Sequence, residues 1–347
     1  LWLVLTRSLP LVWAKKNTEL ASRLAPEHPA VLLARAETLR KRLVELVVTE
    51  LAKEKKTEEM ASETTAAGRY AAPSIVPDGE TSAVDREALR TEIRTLATQI
   101  LKQAPLSARA HRLRAEVSEE EETVRKYMLA AFHRSRRETT AAFWLLNDSF
   151  QKKDIPAVLN YADVILRTKG QLAPIIMSYL GQLATDRESR GVLVEMLATN
   201  PSWRGTFFRN LPKSVPDPKT PLLVLLDLKG TPHPVTDAEL KPYLDKLLRD
   251  GRAELAYSAW LQHLPAKKLT NLGLLTNAGF DEAPSGLPFN WIITNRRYAR
   301  IELHAKSDEP DNKALHLSLG PGRIKFGEVR QVLMLAPGTY RISGLVK

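Results

Sequence analysis

Residues Leu274–Trp291, LLTNAGFDEAPSGLPFNW, mark the point at which this sequence changes its physical habit. Upstream, apolar residues recur at the spacing of an α-helix; downstream they alternate, as in a strand with one buried face. The stretch between is built from Asn, Gly and Pro, residues that turn a chain. The expected fold is therefore multidomain, α then β: α-helical hairpin repeats followed by an antiparallel β-sandwich.

Downstream of Trp291 the segments NWIIT, ARIELHA, KALHLSLG, RIKF, EVRQVLML and GTYRISGLV are short, β-branched or alternating, and split by Asn, Asp, Pro and Gly. That spacing suits antiparallel strands; βαβ units would need a crossover helix. Alternation still runs at Lys347, so the expectation includes a truncated final strand.

Upstream, Leu20, Leu24, Leu32, Leu33, Ala36, Leu39 and Leu43 follow the helical period, interrupted by Pro26 and Pro29. Two helices joined by a short Pro-bearing turn form an αα-hairpin. Residues 53–85 hold Lys, Glu, Ala, Ser, Thr, Gly and Pro with few large apolar side chains, which reads as a flexible linker. Periodicity returns with Leu89, Ile93, Leu96, Ile100 and Leu101, and Pro105 ends that helix. Three S/T-x-x-E matches, Ser118/Glu121, Thr185/Glu188 and Thr236/Glu239, fit capping boxes. Trp203, Phe207 and Phe208 have core spacing, and Leu222–Leu228 reads as a buried helix from Pro221.

Two hairpins are clearest. Ala141, Trp144 and Leu145 precede a second helix with Ala157, Tyr161 and Val164; later, Ala256 and Trp260 repeat the small-then-aromatic spacing. These residues resemble the tetratricopeptide repeat, whose small and aromatic positions let helices nest. A generic array of helical hairpins is the other reading. The expected division is 1–52, N-terminal helices; 53–85, linker; 86–271, helical array; 272–347, β-sandwich.

In NAGFDEAPSGLPFNW, the residues Asn277, Gly279 and Phe280, an acid at Asp281 or Glu282, and Trp291 resemble the opening of carbohydrate-binding-module-like jelly rolls. The resemblance implies a structural calcium at Asp281 and Glu282. The whole chain is similar to α-proteobacterial tetratricopeptide-repeat proteins of envelope and exopolysaccharide systems. It implies a bacterial envelope location, inner-membrane anchored and periplasmic, with a cytoplasmic one left open.

Of the 347 residues 44% are hydrophobic and 26% charged, as in an ordinary globular chain. A net charge of +11 suits either a polyanion partner or a basic solvated surface. Without cysteine, thiol catalysis and cysteine-ligated metals are excluded. The N-terminal LWLVLTRSLPLVWA is too short to cross a bilayer. It reads either as the end of a membrane attachment segment or as a buried first helix.

No HExxH, GxxxxGK[ST], GxSxG or GxGxxG motif occurs. His304 and His316 could meet on neighbouring expected strands and recruit a metal, but two histidines without a nearby carboxylate are more often surface strand residues. Asp281/Glu282 and Glu119–Glu122 are paired acids, though adjacency in sequence does not place two carboxylates across a cleft as glycoside hydrolysis requires. The basic clusters Arg134, Arg136, Arg137 and Arg296, Arg297, Arg300 read as solvated faces. Aromatics at core spacing make nucleic acid an unexpected partner. A sugar site needs a flat aromatic and fixed amides; Phe289, Trp291 and Tyr298 with Asn277, Asn290 and Asn295 are the candidates, Trp291 equally as a core residue. The expected function is a non-enzymatic scaffold that presents a helical-repeat surface to a protein partner, without cofactor. The alternatives are carbohydrate binding by the β region and a glycan-processing enzyme.

Overall fold

A computed structural model of the chain describes residues 18–66, 79–270, 272–306, 309–324 and 326–344. Two units divide at Thr168/Lys169, within the stretch expected as one helical array.

In the first unit α1 (Thr18–Leu24), α2 (Pro29–Ala66), α3 (Gly79–Gln103), α4 (Ala108–Glu116), α5 (Glu121–Arg134), α6 (Thr139–Gln151) and α7 (Ile155–Thr168) follow one another. Each packs on the next, and α4 also packs on α2. Pro29 opens α2, where its missing N–H would have had no helical acceptor. The apolar stripes meet as their period demands: Leu32, Ala36 and Leu43 of α2 close on Leu89, Ile93, Leu96 and Ile100 of α3, with Leu113 of α4.

The linker expected over 53–85 is helical at both ends, since α2 runs to Ala66 and α3 begins at Gly79. Its Lys, Glu, Ala and Met residues are good helix formers, and propensity accounts for the helix there. Residues 67–78, like the N-terminal segment 1–17, lie outside the described residues.

The buried polar feature of this unit is Arg112. Its guanidinium donates from Nε to Glu138 Oε2 at 3.0 Å, from Nη1 to Glu116 Oε1 at 2.8 Å and from Nη2 to Glu37. Three carboxylates from α2, α4 and the α5–α6 turn thus compensate one cation, whose side chain is 6% exposed. In the best-matched hairpin Tyr161 is buried edge-on against Phe132, centroids 4.9 Å apart. Trp144 and Ala157 are half-buried.

The second unit contains α8 (Ala173–Thr185), α9 (Arg187–Ala198), α10 (Arg204–Ser214), α11 (Thr220–Asp227), α12 (Asp237–Arg249), α13 (Ala253–His263) and the single turn α14 (Ala266–Leu269). Alternate helices form two layers: α8 packs on α10 and α10 on α12, while α9 packs on α11 and α11 on α13. Gly181 lets α8 approach the end of α10, where an added Cβ would lie 3.0 Å from Ser214 Cβ. Ala256 and Trp260 are fully buried, as their hairpin spacing predicts.

Arg204 joins the layers. Buried at the start of α10, it donates to the carbonyls of Leu197, His233 and Pro234, and bidentately to Glu239, at 2.8 and 3.1 Å. Glu239 also accepts from the Thr236 backbone N–H at 3.0 Å, so the third expected capping box forms. The other two do not. Helix α5 begins at Glu121, which places that acid at N1 instead of N3, and α9 is capped by Asp186, which accepts from Ser189 N–H at 2.9 Å.

The β region is reduced relative to expectation. Antiparallel pairs join β1 (Ile292–Thr294) to β4 (Glu328–Arg330) and β2 (Ala299–Lys306) to β3 (Glu309–Leu319). Among the described residues these two pairs form no sandwich. Among the described residues, 331–335 and 338–344, expected as strand, pair with nothing in a ladder; Pro321, Gly322, Gly327, Pro337 and Gly338 lie between or at the edge of the expected runs and keep them short.

Candidate functional site

The second unit contains a cleft of about 880 Å³. One wall comes from α11, whose apolar run is longer than one buried face needs. Val224 is buried, while Leu222 and Leu225 are half-buried and Leu226 is 37% exposed. The start of α12 contributes Asp237 and Leu240, and the end of α13 contributes Trp260, Gln262 and His263. The remaining side is the chain from Leu264 to Asn290, including Leu272, Thr276, Asn277 and Leu287.

This last wall is irregular backbone held by side chains. Asn277, with φ of 50°, accepts from Glu282 N–H through Oδ1 at 3.1 Å and donates through Nδ2 to Glu282 O at 2.9 Å. Asparagine tolerates the left-handed conformation and bridges a tight turn in this way. The Trp291 indole N–H donates to Asn277 O at 2.8 Å, and its ring stacks on Phe280 at 4.9 Å. Gln331 adds a two-point clamp on the Thr276 backbone, at 3.0 and 2.9 Å. The wall is fixed by amides rather than by a sheet.

The lip carries charge of both signs. His263 Nε2 lies 2.7 Å from Asp237 Oδ1, Lys268 pairs with Glu282, and Lys229 Nζ donates to Gln262 O at 2.9 Å. Lys267 and Asp281 complete it. The floor is leucine and the rim is ionic, an arrangement that takes up an apolar segment with polar flanks.

The sequence candidates divide between this cleft and other places. Asn277 and Asn290 line it. Phe289 is buried in the core against Tyr257 and Trp260, at 5.2 and 5.6 Å. Trp291 is half-buried under the structural contacts just described. Tyr298 is exposed outside the cleft lining, with the Arg297 guanidinium over its ring at 5.1 Å. Asp281 and Glu282 stand at the lip. Among the described residues no group of three or more His, Asp or Glu side chains converges to hold a metal ion.

Part of each basic cluster is engaged within the chain. Arg134 donates to Pro105 O at 3.0 Å, Arg136 lies 4.2 Å over Phe132, and Arg300 pairs with Glu302 at 2.7 Å. Sequence reasoning missed Leu222, Leu225, Leu226, Asp237, His263 and Lys268. The available signal was α11 itself, an eight-residue helix too apolar to bury on every side.

No family model matches the chain, and comparison with characterised proteins likewise finds no match. Among the described residues no helix is long and apolar enough to cross a membrane.

Proposed function

We propose that the chain is a non-enzymatic scaffold whose helical hairpins bind protein partners, with the second unit's cleft taking an extended apolar segment of the partner. The observation that carries this reading is the leucine floor under an ionic rim. Leu226 and its neighbours offer apolar area that partner side chains would remove from water at roughly 25 cal/mol per Å². The tetratricopeptide-like reading is supported by the spacing of first helices, which open at Ala108, Thr139, Ala173, Arg204 and Asp237, about 31 to 34 residues apart. Envelope location, membrane attachment and service to polysaccharide synthesis or export rest on the resemblance of the sequence alone.

Carbohydrate binding is the second reading, favoured by the side-chain amides of Asn277 and Asn290 at the cleft. It has less support, because Trp260, the aromatic in the lining, is fully buried and offers no platform for a pyranose. A glycan-processing enzyme has less still: of the lip acids, Asp237 contacts His263 and Glu282 contacts Lys268.

The test is to screen the whole chain against a displayed random-peptide library and a glycan array. Enrichment of peptides with clustered Leu, Ile or Phe, lost with Leu226→Glu, supports the scaffold. Glycan binding that survives Leu226→Glu overturns it in favour of the second reading.

A further inference from the structure

Away from the cleft, the β2–β3 ribbon brings His316 of β3 beside Glu302 and His304 of β2. The register pairs Glu302 directly with His316. His304 lies two residues further along β2 and therefore on the same face. The two imidazole rings are 4.7 Å apart and inclined by 36°. Glu302 Oε2 lies 3.6 Å from His304 Nε2, while Arg300 Nε holds the other carboxylate oxygen at 2.7 Å. Ser318 Oγ sits 3.4 Å from His316 Nδ1. In the sequence Glu302 and His304 already stand two apart on one strand; the pairing of β2 with β3 brings His316 to them.

We propose that His304, His316 and Glu302 form a surface chelate for a borderline divalent metal such as Zn²⁺, Ni²⁺ or Cu²⁺, which staples β2 to β3. Two imidazoles and one carboxylate make a nitrogen-rich set that suits these ions and not Ca²⁺ or Mg²⁺, which take oxygen ligands. Among the described residues no three such donors are already gathered on one point. His304 is 54% exposed and Glu302 38%, so rotation of side chains into solvent is enough to gather them. Arg300 would orient the carboxylate from behind, as hydrogen-bonded partners of metal ligands do. Solvent would complete the coordination.

The staple has a physical purpose. A two-stranded ribbon is marginal by itself, and on its other face Leu317 and Leu319 are 43% and 61% exposed. A metal bound only when the strands are paired stabilises the pairing by mass action.

The experiment titrates the untagged 347-residue chain with Zn²⁺, Ni²⁺ and Cu²⁺ against a chromophoric chelator, and measures amide hydrogen exchange in β2 and β3. One equivalent is expected to bind, with slower exchange in both strands. His304→Ala or His316→Ala should weaken binding at least tenfold, and Glu302→Gln severalfold. Metal-free exchange of each variant, matching that of the parent chain, controls for folding. Binding weaker than millimolar, binding unchanged when His304→Ala and His316→Ala are combined, or binding without slower exchange would each overturn the proposal.

Discussion

Replacing Arg204 by Ala tests most severely how the second unit is held. The side chain of Arg204 is 3% exposed and that of Glu239 is 12%. The guanidinium makes five hydrogen bonds, three to carbonyls at 2.8–3.2 Å and two to Glu239. Truncation strands a buried carboxylate and three acceptors, which costs about 3–5 kcal/mol. For a unit of this size each kcal/mol moves Tm by roughly 2–4 °C, so a fall of about 10 °C is expected. Trp203, buried beside the site, provides the fluorescence signal for thermal and urea unfolding. Arg204→Lys should lose most of the same stability, because an ammonium cannot reproduce the bidentate fork. Arg204→Met with Glu239→Leu together should recover only the part due to the stranded carboxylate, since the three carbonyls stay unpaired and the capping box is broken. A loss below about 1 kcal/mol for Arg204→Ala would refute the reasoning.

Three further outcomes are expected. Thr236→Ala, which breaks the one capping box that forms, should cost about 1 kcal/mol in urea unfolding, while Thr185→Ala should cost less than about 0.5 kcal/mol because Asp186 caps that helix. Tyr243→Phe should cost about 1–2 kcal/mol, since the buried phenol donates to Pro218 O at 2.7 Å and its loss leaves that carbonyl unpaired. Burial lowers the His111 pKa below 6.5; the Pro105 carbonyl opposes this and the Arg134 charge adds to it. With the folded value depressed, the unfolded chain takes up the proton first. Stability is therefore full above pH 6.5 and declines as pH falls toward the folded value. A His111→Gln chain followed by urea unfolding should lack that part of the acid decline.

The helices were legible because burial of one face imposes a period: Ile93 and Ile100, seven residues apart, are both fully buried. Caps were less legible, because the S/T-x-x-E pattern does not say where a helix starts, and Asp186 takes the role one residue after Thr185. Alternation located β1 to β4 but not their partners, since pairing is set by contacts remote in sequence. The same holds for the cleft. Its leucines on α11 and its amides at Asn277 and Asn290 meet only through packing, and Phe289 was indistinguishable from an exposed aromatic until Trp260 was placed against it.

The central claim is tested most directly by the affinity of a selected apolar peptide for three forms of the whole chain: unaltered, Leu226→Glu and Tyr298→Ala. The account predicts at least a tenfold loss with Leu226→Glu and no change with Tyr298→Ala. Equal affinity for the unaltered and Leu226→Glu chains would contradict it.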